Sequence, residues 1–101
     1  RLMSRMKIEW HPQAVIELRE IVDYIDHRNR VAAKATYQLI SGCVSQLAIH
    51  PFMGRDGRVK NTRELIIGGT PYLIAYQIDG SVITVLAVMH AARRWPDDLP
   101  V

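Results

Sequence analysis

Hydrophobic residues in the first half of the chain recur every three or four positions, the spacing of amphipathic helices. This spacing predicts a first helix that begins after His11-Pro12 and ends near Arg28, since proline is tolerated at the first helical position. It predicts a second helix that is capped by Asn29 and ended by His50-Pro51. Ahead of both helices, the alternating residues 7–10 predict a strand. Two successive helices joined by a short turn are expected to form an antiparallel hairpin.

The second half of the chain changes to the pattern of strands and tight turns. It predicts strands over Arg63 to Ile67, Tyr72 to Ile78 and Val82 to about Met89, with turns at Gly68-Gly69 and Asp79-Gly80. The order is therefore β-α-α-β-β-β. This order predicts an α+β fold in which the helix hairpin packs on a mainly antiparallel sheet.

The last two predicted strands are apolar at nearly every position, so we expect them to be central strands that are covered on both faces. A turn at Asp79-Gly80 would pair Ile78 with Ser81 and Tyr72 with Ala87. In that register His90 shares a face with Leu73. One helix layer covers one face, and we expect the other face to keep apolar surface for a partner.

Length and composition fit a soluble globular domain. The chain has 101 residues, of which 49% are hydrophobic and 23% charged, close to the averages for folded proteins. We expect one domain over residues 6–101, with Arg1 to Arg5 as a disordered extension outside the fold. No apolar run could cross a bilayer and the first residues lack a secretory signal, so we expect a cytoplasmic protein with no membrane partner.

Metal and cofactor chemistry finds little support in the residues. The single cysteine, Cys43, excludes an internal disulfide and a Cys-rich zinc site, and its place beside an apolar stripe favours packing. No histidine pair has the spacing of a helical metal site. We therefore expect neither a metal nor a cofactor.

Positive charge is concentrated in one segment. The net charge is +3, and residues 54–63 alone carry +3, from Arg55, Arg58, Lys60 and Arg63 against Asp56. A second basic pair, Arg93 and Arg94, lies near the C-terminus. Such clusters occur on solvated loops and also on surfaces that bind polyanions, so a plain nucleic-acid binding module is one interpretation.

The order of elements and a set of short motifs resemble the RelE/ParE superfamily of bacterial toxins. The resemblance runs from about Met6 to Pro96, and its motifs are Gly54-Arg55, Gly57-Arg58-Val59, Thr62-Arg63-Glu64-Leu65, Pro71-Tyr72 through Tyr76, and His90-Ala91-Ala92-Arg93-Arg94-Trp95-Pro96. It implies the toxin of a type II toxin-antitoxin module. It further implies neutralisation by a cognate antitoxin in a hetero-oligomeric complex.

Two activities are found on this fold, which makes the site decisive. RelE-like toxins cleave messenger RNA on the ribosome without a metal. That cleavage needs an acid-base group and cations on the phosphate, and His90, Arg63 and Arg93 are the candidate catalytic residues, with Arg58 as a further cation and Glu64 as a conceivable base. ParE-like toxins instead poison DNA gyrase.

One departure favours the ParE-like branch. Many RelE-like nucleases carry an arginine where this chain has Leu73, early in the strand Tyr72 to Tyr76. We therefore predict a ParE-like action on DNA gyrase, with the ribosome-dependent endoribonuclease as the alternative. The candidate target-binding residues are Arg58, Arg63, His90, Arg93, Arg94 and Trp95. Two of them have plain structural readings, because His90 could cap the end of the sheet and Trp95 could lie in the core.

Overall fold

A computed structural model describes residues 5–101 and confirms the α+β fold. Its elements are β1 (Lys7–Trp10), α1 (Pro12–Asp26), α2 (Arg30–Leu47), β2 (Arg55–Asp56), β3 (Arg63–Ile66), β4 (Tyr72–Asp79) and β5 (Val82–His90). The sheet has five strands in the order β1-β5-β4-β3-β2. Strand β1 pairs with β5 in parallel, and the other pairs are antiparallel. The predicted extension falls outside the described residues except for Arg5.

Local capping signals place the helix starts where the sequence predicts them. The side chain of His11 accepts a hydrogen bond from the Gln13 N–H (3.1 Å), ahead of Pro12 at the start of α1. The Asn29 carboxamide oxygen accepts from the Ala32 N–H (3.0 Å) at the start of α2. Each cap satisfies a backbone donor that the first turn leaves unpaired. Neither α1 nor α2, the helices of the described part of the chain, is long and apolar enough to span a bilayer.

The helix hairpin packs against one face of the sheet, which we call the helix face. Ala14 of α1 and Ile40, Val44 and Leu47 of α2 are buried there. The residues of β4 and β5 that meet them are Ile74, Tyr76, Ile83, Val85 and Val88. This layer accounts for the helical period of the first half of the sequence.

The opposite face, the tail face, is covered by the chain's own C-terminal segment. Trp95 and Leu99, each 7% exposed, close over residues of β4 and β5, and Val59 packs at their side. The strand residues of this second core are Leu73, Ala75, Leu86, Ala87 and Met89. The expectation that this face stays open for a partner is therefore wrong, because an apolar surface of this size is satisfied within the chain.

The hairpin turn between β4 and β5 lies one residue later than predicted. Asp79 pairs with Val82, so the two central turn residues are Gly80 and Ser81. Gly80 has φ +60°, the left-handed conformation that glycine adopts without strain. The predicted pairing of Ile78 with Ser81 is wrong, and Ile78 pairs with Ile83.

A β-bulge in β5 moves the end of that strand to the other face. Tyr76 pairs with Val85 and Ala75 with Ala87, which leaves Leu86 as the extra residue. Because side chains alternate between faces, one extra residue reverses the alternation beyond it. His90 therefore pairs with Tyr72 and lies on the helix face, whereas Leu73 is buried on the tail face. The prediction that His90 and Leu73 share a face is wrong.

Candidate functional surface

Arg63 holds a loop through most of its donors. Its guanidinium donates to the backbone carbonyls of Gly54 and Phe52, pairs with Asp56 at 3.3 Å, and lies 5.2 Å from the centre of the Phe52 ring. Only 23% of its side chain is exposed. These contacts tie the segment after α2 to β3, and they leave few free donors for a phosphate.

Tyr76 anchors the same loop through its side-chain hydroxyl. Its buried hydroxyl donates to the Pro51 carbonyl (2.7 Å) and accepts from the Gly54 N–H (3.0 Å). Gly54 has no room for a side chain, since a Cβ there would lie 2.7 Å from the Tyr76 hydroxyl oxygen. The sequence shows only an apolar strand at this place, so its pattern does not reveal this polar anchor.

Glu64 lies buried on the tail face between two arginines. Its Oε2 accepts from Arg55 Nε (2.8 Å) and Arg55 Nη2 (2.6 Å), and its Oε1 lies 3.6 Å from Arg58 Nε. Only 2% of the Glu64 side chain is exposed, against 64% and 45% for the two arginines. We call Arg55, Glu64 and Arg58 the Arg–Glu–Arg cluster. With both oxygens facing cations, Glu64 is poorly placed to act as a base.

Arg58 connects this cluster to the C-terminal segment. Its Nη1 donates to the Arg93 carbonyl (3.3 Å), and its guanidinium lies 5.7 Å from the centre of the Trp95 ring. Trp95 itself is in the core, where a Cβ on Gly57 would lie 2.9 Å from its ring. In this structure Trp95 therefore supports Arg58 from within and offers no surface of its own.

His90 is exposed at the end of β5 and ends the sheet with a backbone contact. Its Nδ1 accepts from the Ala92 N–H (3.1 Å), and its ring meets Tyr72 edge-on at 6.0 Å. In this conformation Nδ1 is therefore engaged with the backbone and is not free to face a substrate. His90 also shapes the turn that carries Arg93, whose N–H donates to the His90 carbonyl (2.9 Å).

The structure does not bring the three candidate catalytic residues together. Arg63 pairs with Tyr76 and His90 with Tyr72, four positions apart along β4, which is about 13 Å. In addition, β3 and β5 lie on opposite sides of β4. His90 and Arg93 do line one shallow groove of about 280 Å³ beside α1, together with Glu17 and Tyr24. Arg94 is exposed on the same turn.

Glu17 is a further residue that the sequence pattern does not single out. Its Oε1 accepts from the Val88 N–H (2.9 Å), beyond the point where β1 stops pairing with β5. The carboxylate therefore satisfies a backbone donor on an otherwise open strand edge. It also fixes α1 beside the end of β5, where His90 lies.

A larger apolar groove runs between the helices and β1. Its volume is about 590 Å³, and its lining includes Ile8 and Trp10 from β1. From the helices it includes Val15, 37% exposed, and Tyr37, 49% exposed. Strand β1 forms one edge of the sheet, and in the described range 5–101 no strand pairs with its outer side. We call this surface the α1–α2–β1 groove.

Within residues 5–101, no three His, Cys, Asp or Glu side chains are grouped so that they could hold a metal ion. Cys43 is partly buried against the helix-face core.

Comparisons with known proteins agree with one another on the family. Residues 8–95 match the family model for the ParE toxin of the type II toxin-antitoxin system parDE. The Y4kP protein of Sinorhizobium fredii, a candidate toxin by its name, is 42% identical over 97 residues, which are 96% of this chain and all of that protein. The family model extends from Ile8 in β1 to Trp95.

Solved toxin structures share the fold. The chromosomal ParDE system of Pseudomonas aeruginosa gives a TM-score of 0.77 at 22% identity, covering 85% of this chain and 96% of that one. The intact RelBE toxin-antitoxin complex of Escherichia coli gives 0.57 at 20% identity, covering 87% and 99%. At these identities the likeness concerns the fold.

Proposed function

Because the chain belongs to the ParE toxin family of type II toxin-antitoxin systems, we propose that it arrests growth in the cytoplasm by poisoning DNA gyrase. In this proposal four side chains contact the target and contribute to binding affinity, not to catalysis: Arg58, His90, Arg93 and Arg94. Arg63 and Trp95, both predicted as contact residues, act instead by supporting the loop and the arginine beside them. No metal or cofactor takes part.

The observation that carries the choice of gyrase is the separation of Arg63 from His90. Cleavage of RNA without a metal needs a proton-transfer group and cations converging on one phosphate. Here Arg63 is bound to loop carbonyls and His90 to a backbone N–H, and the two residues pair with β4 at positions four residues apart, from opposite sides of that strand. The position where many RelE-like nucleases have an arginine is occupied here by Leu73, which is buried on the tail face, opposite His90.

A direct test compares the two activities with the same preparation of antitoxin-free protein. We expect inhibition of supercoiling by gyrase and accumulation of gyrase-dependent DNA breaks, with messenger RNA left intact on ribosomes. Arg93→Gln/Arg94→Gln should weaken the gyrase effect, whereas Arg30→Gln on the helix hairpin should not. Codon-specific messenger cleavage that His90→Ala abolishes in a folded protein would establish the RelE-like alternative instead.

In this proposal the neutralising antitoxin binds in the α1–α2–β1 groove. The groove offers apolar side chains next to a free strand edge. A disordered partner segment can pack against these side chains and pair with the strand edge at the same time. We expect Val15→Glu to abolish rescue by the co-expressed antitoxin while unopposed expression still arrests growth. Val31→Glu is the matched control, because Val31 is 79% exposed on α2 and lies outside the groove lining. Equal rescue of both variants would place the antitoxin elsewhere.

A further inference from the structure

The Arg–Glu–Arg cluster holds more positive charge than its carboxylate neutralises. Arg55 donates twice to Glu64 Oε2, whereas Oε1 is buried without a hydrogen-bond partner, 3.6 Å from Arg58 Nε. A buried carboxylate is unfavourable unless it is paired, and one arginine balances its charge. The second arginine leaves a net charge of +1 at this surface.

Both guanidinium groups are fixed on their inner side and open on their outer side. Glu64 holds Arg55, while the Arg93 carbonyl and the Trp95 ring hold Arg58. The side chains are nevertheless 64% and 45% exposed. Since arginine carries five N–H donors, each keeps donors that face solvent. Donors held in place lose little conformational freedom when they bind an anion.

We propose that the Arg–Glu–Arg cluster binds the phosphodiester backbone of duplex DNA. Two guanidinium groups can each contact phosphate oxygens through paired N–H donors. Arg93 and Arg94, which precede Asp97 and Asp98 in the chain, are exposed beside the Arg93 carbonyl to which Arg58 is bonded, so they add two further guanidinium groups near the cluster. The anion site stands on these contacts alone. The choice of DNA over another polyanion rests on the proposed action on DNA gyrase.

The first measurement is binding of a short labelled DNA duplex, followed by fluorescence anisotropy at several salt concentrations. Each phosphate contact contributes about 0.9 to the slope of log K against log salt, so Arg55→Gln/Arg58→Gln should reduce that slope by about 1.8. The matched control, Arg28→Gln/Arg30→Gln, removes the same charge from the helix hairpin and should leave the slope unchanged. Arg55→Lys/Arg58→Lys should keep the slope and weaken binding, because lysine keeps the charge and lacks the planar fork.

A second variant covers the case in which Glu64 cannot stay buried without its partners. Arg55→Gln/Arg58→Gln/Glu64→Gln removes the carboxylate with both arginines, lowers the net charge of the cluster by one and should therefore reduce the slope by about 0.9. The proposal is overturned by absence of duplex binding at low salt, by equal losses in the cluster and control variants, or by tighter binding to RNA of the same sequence. Competition by inorganic phosphate at equal phosphate concentration would also overturn it. If duplex binding follows the prediction while gyrase is unaffected by the wild type, this site stands and the proposed target falls.

Discussion

Removal of one hydroxyl group, in Tyr76→Phe, tests how the loop after α2 is held. The hydroxyl is buried and joins two backbone groups, the Pro51 carbonyl and the Gly54 N–H, at 2.7 and 3.0 Å. Phenylalanine fills nearly the same volume, so the change creates almost no cavity. Its main effect is to leave both backbone groups without a partner.

The size of the effect follows from the burial of those two groups. Gly54 is buried, and an unpaired buried donor costs about 1–3 kcal/mol, whereas the partly exposed Pro51 can turn its carbonyl toward water. We therefore expect the free energy of unfolding to fall by about 1–3 kcal/mol. For a domain of this size that lowers the melting temperature by roughly 5–20 °C.

Urea unfolding followed by circular dichroism measures this change directly. At the slopes usual for small domains, the midpoint should fall by about 1–2 M urea with an unchanged slope. Tyr37→Phe is the control, because Tyr37 is 49% exposed and water can replace any partner of its hydroxyl. A Tyr76→Phe midpoint that matches the control would refute the assignment of the hydroxyl as the anchor of this loop.

Two further changes test the turn and the role of Arg63. Gly80→Val should lower stability by about 1–3 kcal/mol in urea unfolding, because valine resists the positive φ, whereas Ser81→Val at the neighbouring turn position should cost less. Arg63→Gln should lower stability by about 1–3 kcal/mol through the lost bonds to the loop carbonyls, while the folded variant should keep the gyrase inhibition proposed for the wild type. Lys60→Gln, exposed in the same segment, should be neutral, and gyrase inhibition lost in a fully stable Arg63→Gln would contradict the supporting role.

Features set by short stretches of sequence were predictable. The cap at Asn29, the proline at the start of α1 and the bounds of β1 each depend on a few neighbouring residues. The same holds for the family, because its motifs lie at fixed places along the chain.

Features set by distant contacts were not predictable in the same way. The extra residue Leu86 depends on how β5 meets β4, and no turn residue or glycine marks it in the sequence. That one residue decides the face of the sheet on which His90 lies. The alternation of apolar residues in the sequence therefore could not show which side chains share a face with His90. Trp95 likewise became a core residue only because the C-terminal segment folds back over the sheet.

The parallel pairing of β1 with β5 also sets the order in which the molecule can be completed during synthesis. Lys7 pairs with Val82, so β1, the first strand to be synthesised, has to wait for its partner until β5 has been synthesised. At roughly 5–20 residues added per second, that wait lasts roughly 4–15 s. The α1–α2–β1 groove includes Ile8 and Trp10, and it therefore becomes complete only after β5 has left the ribosome. An antitoxin that docks in this groove must meet the finished chain rather than the growing one.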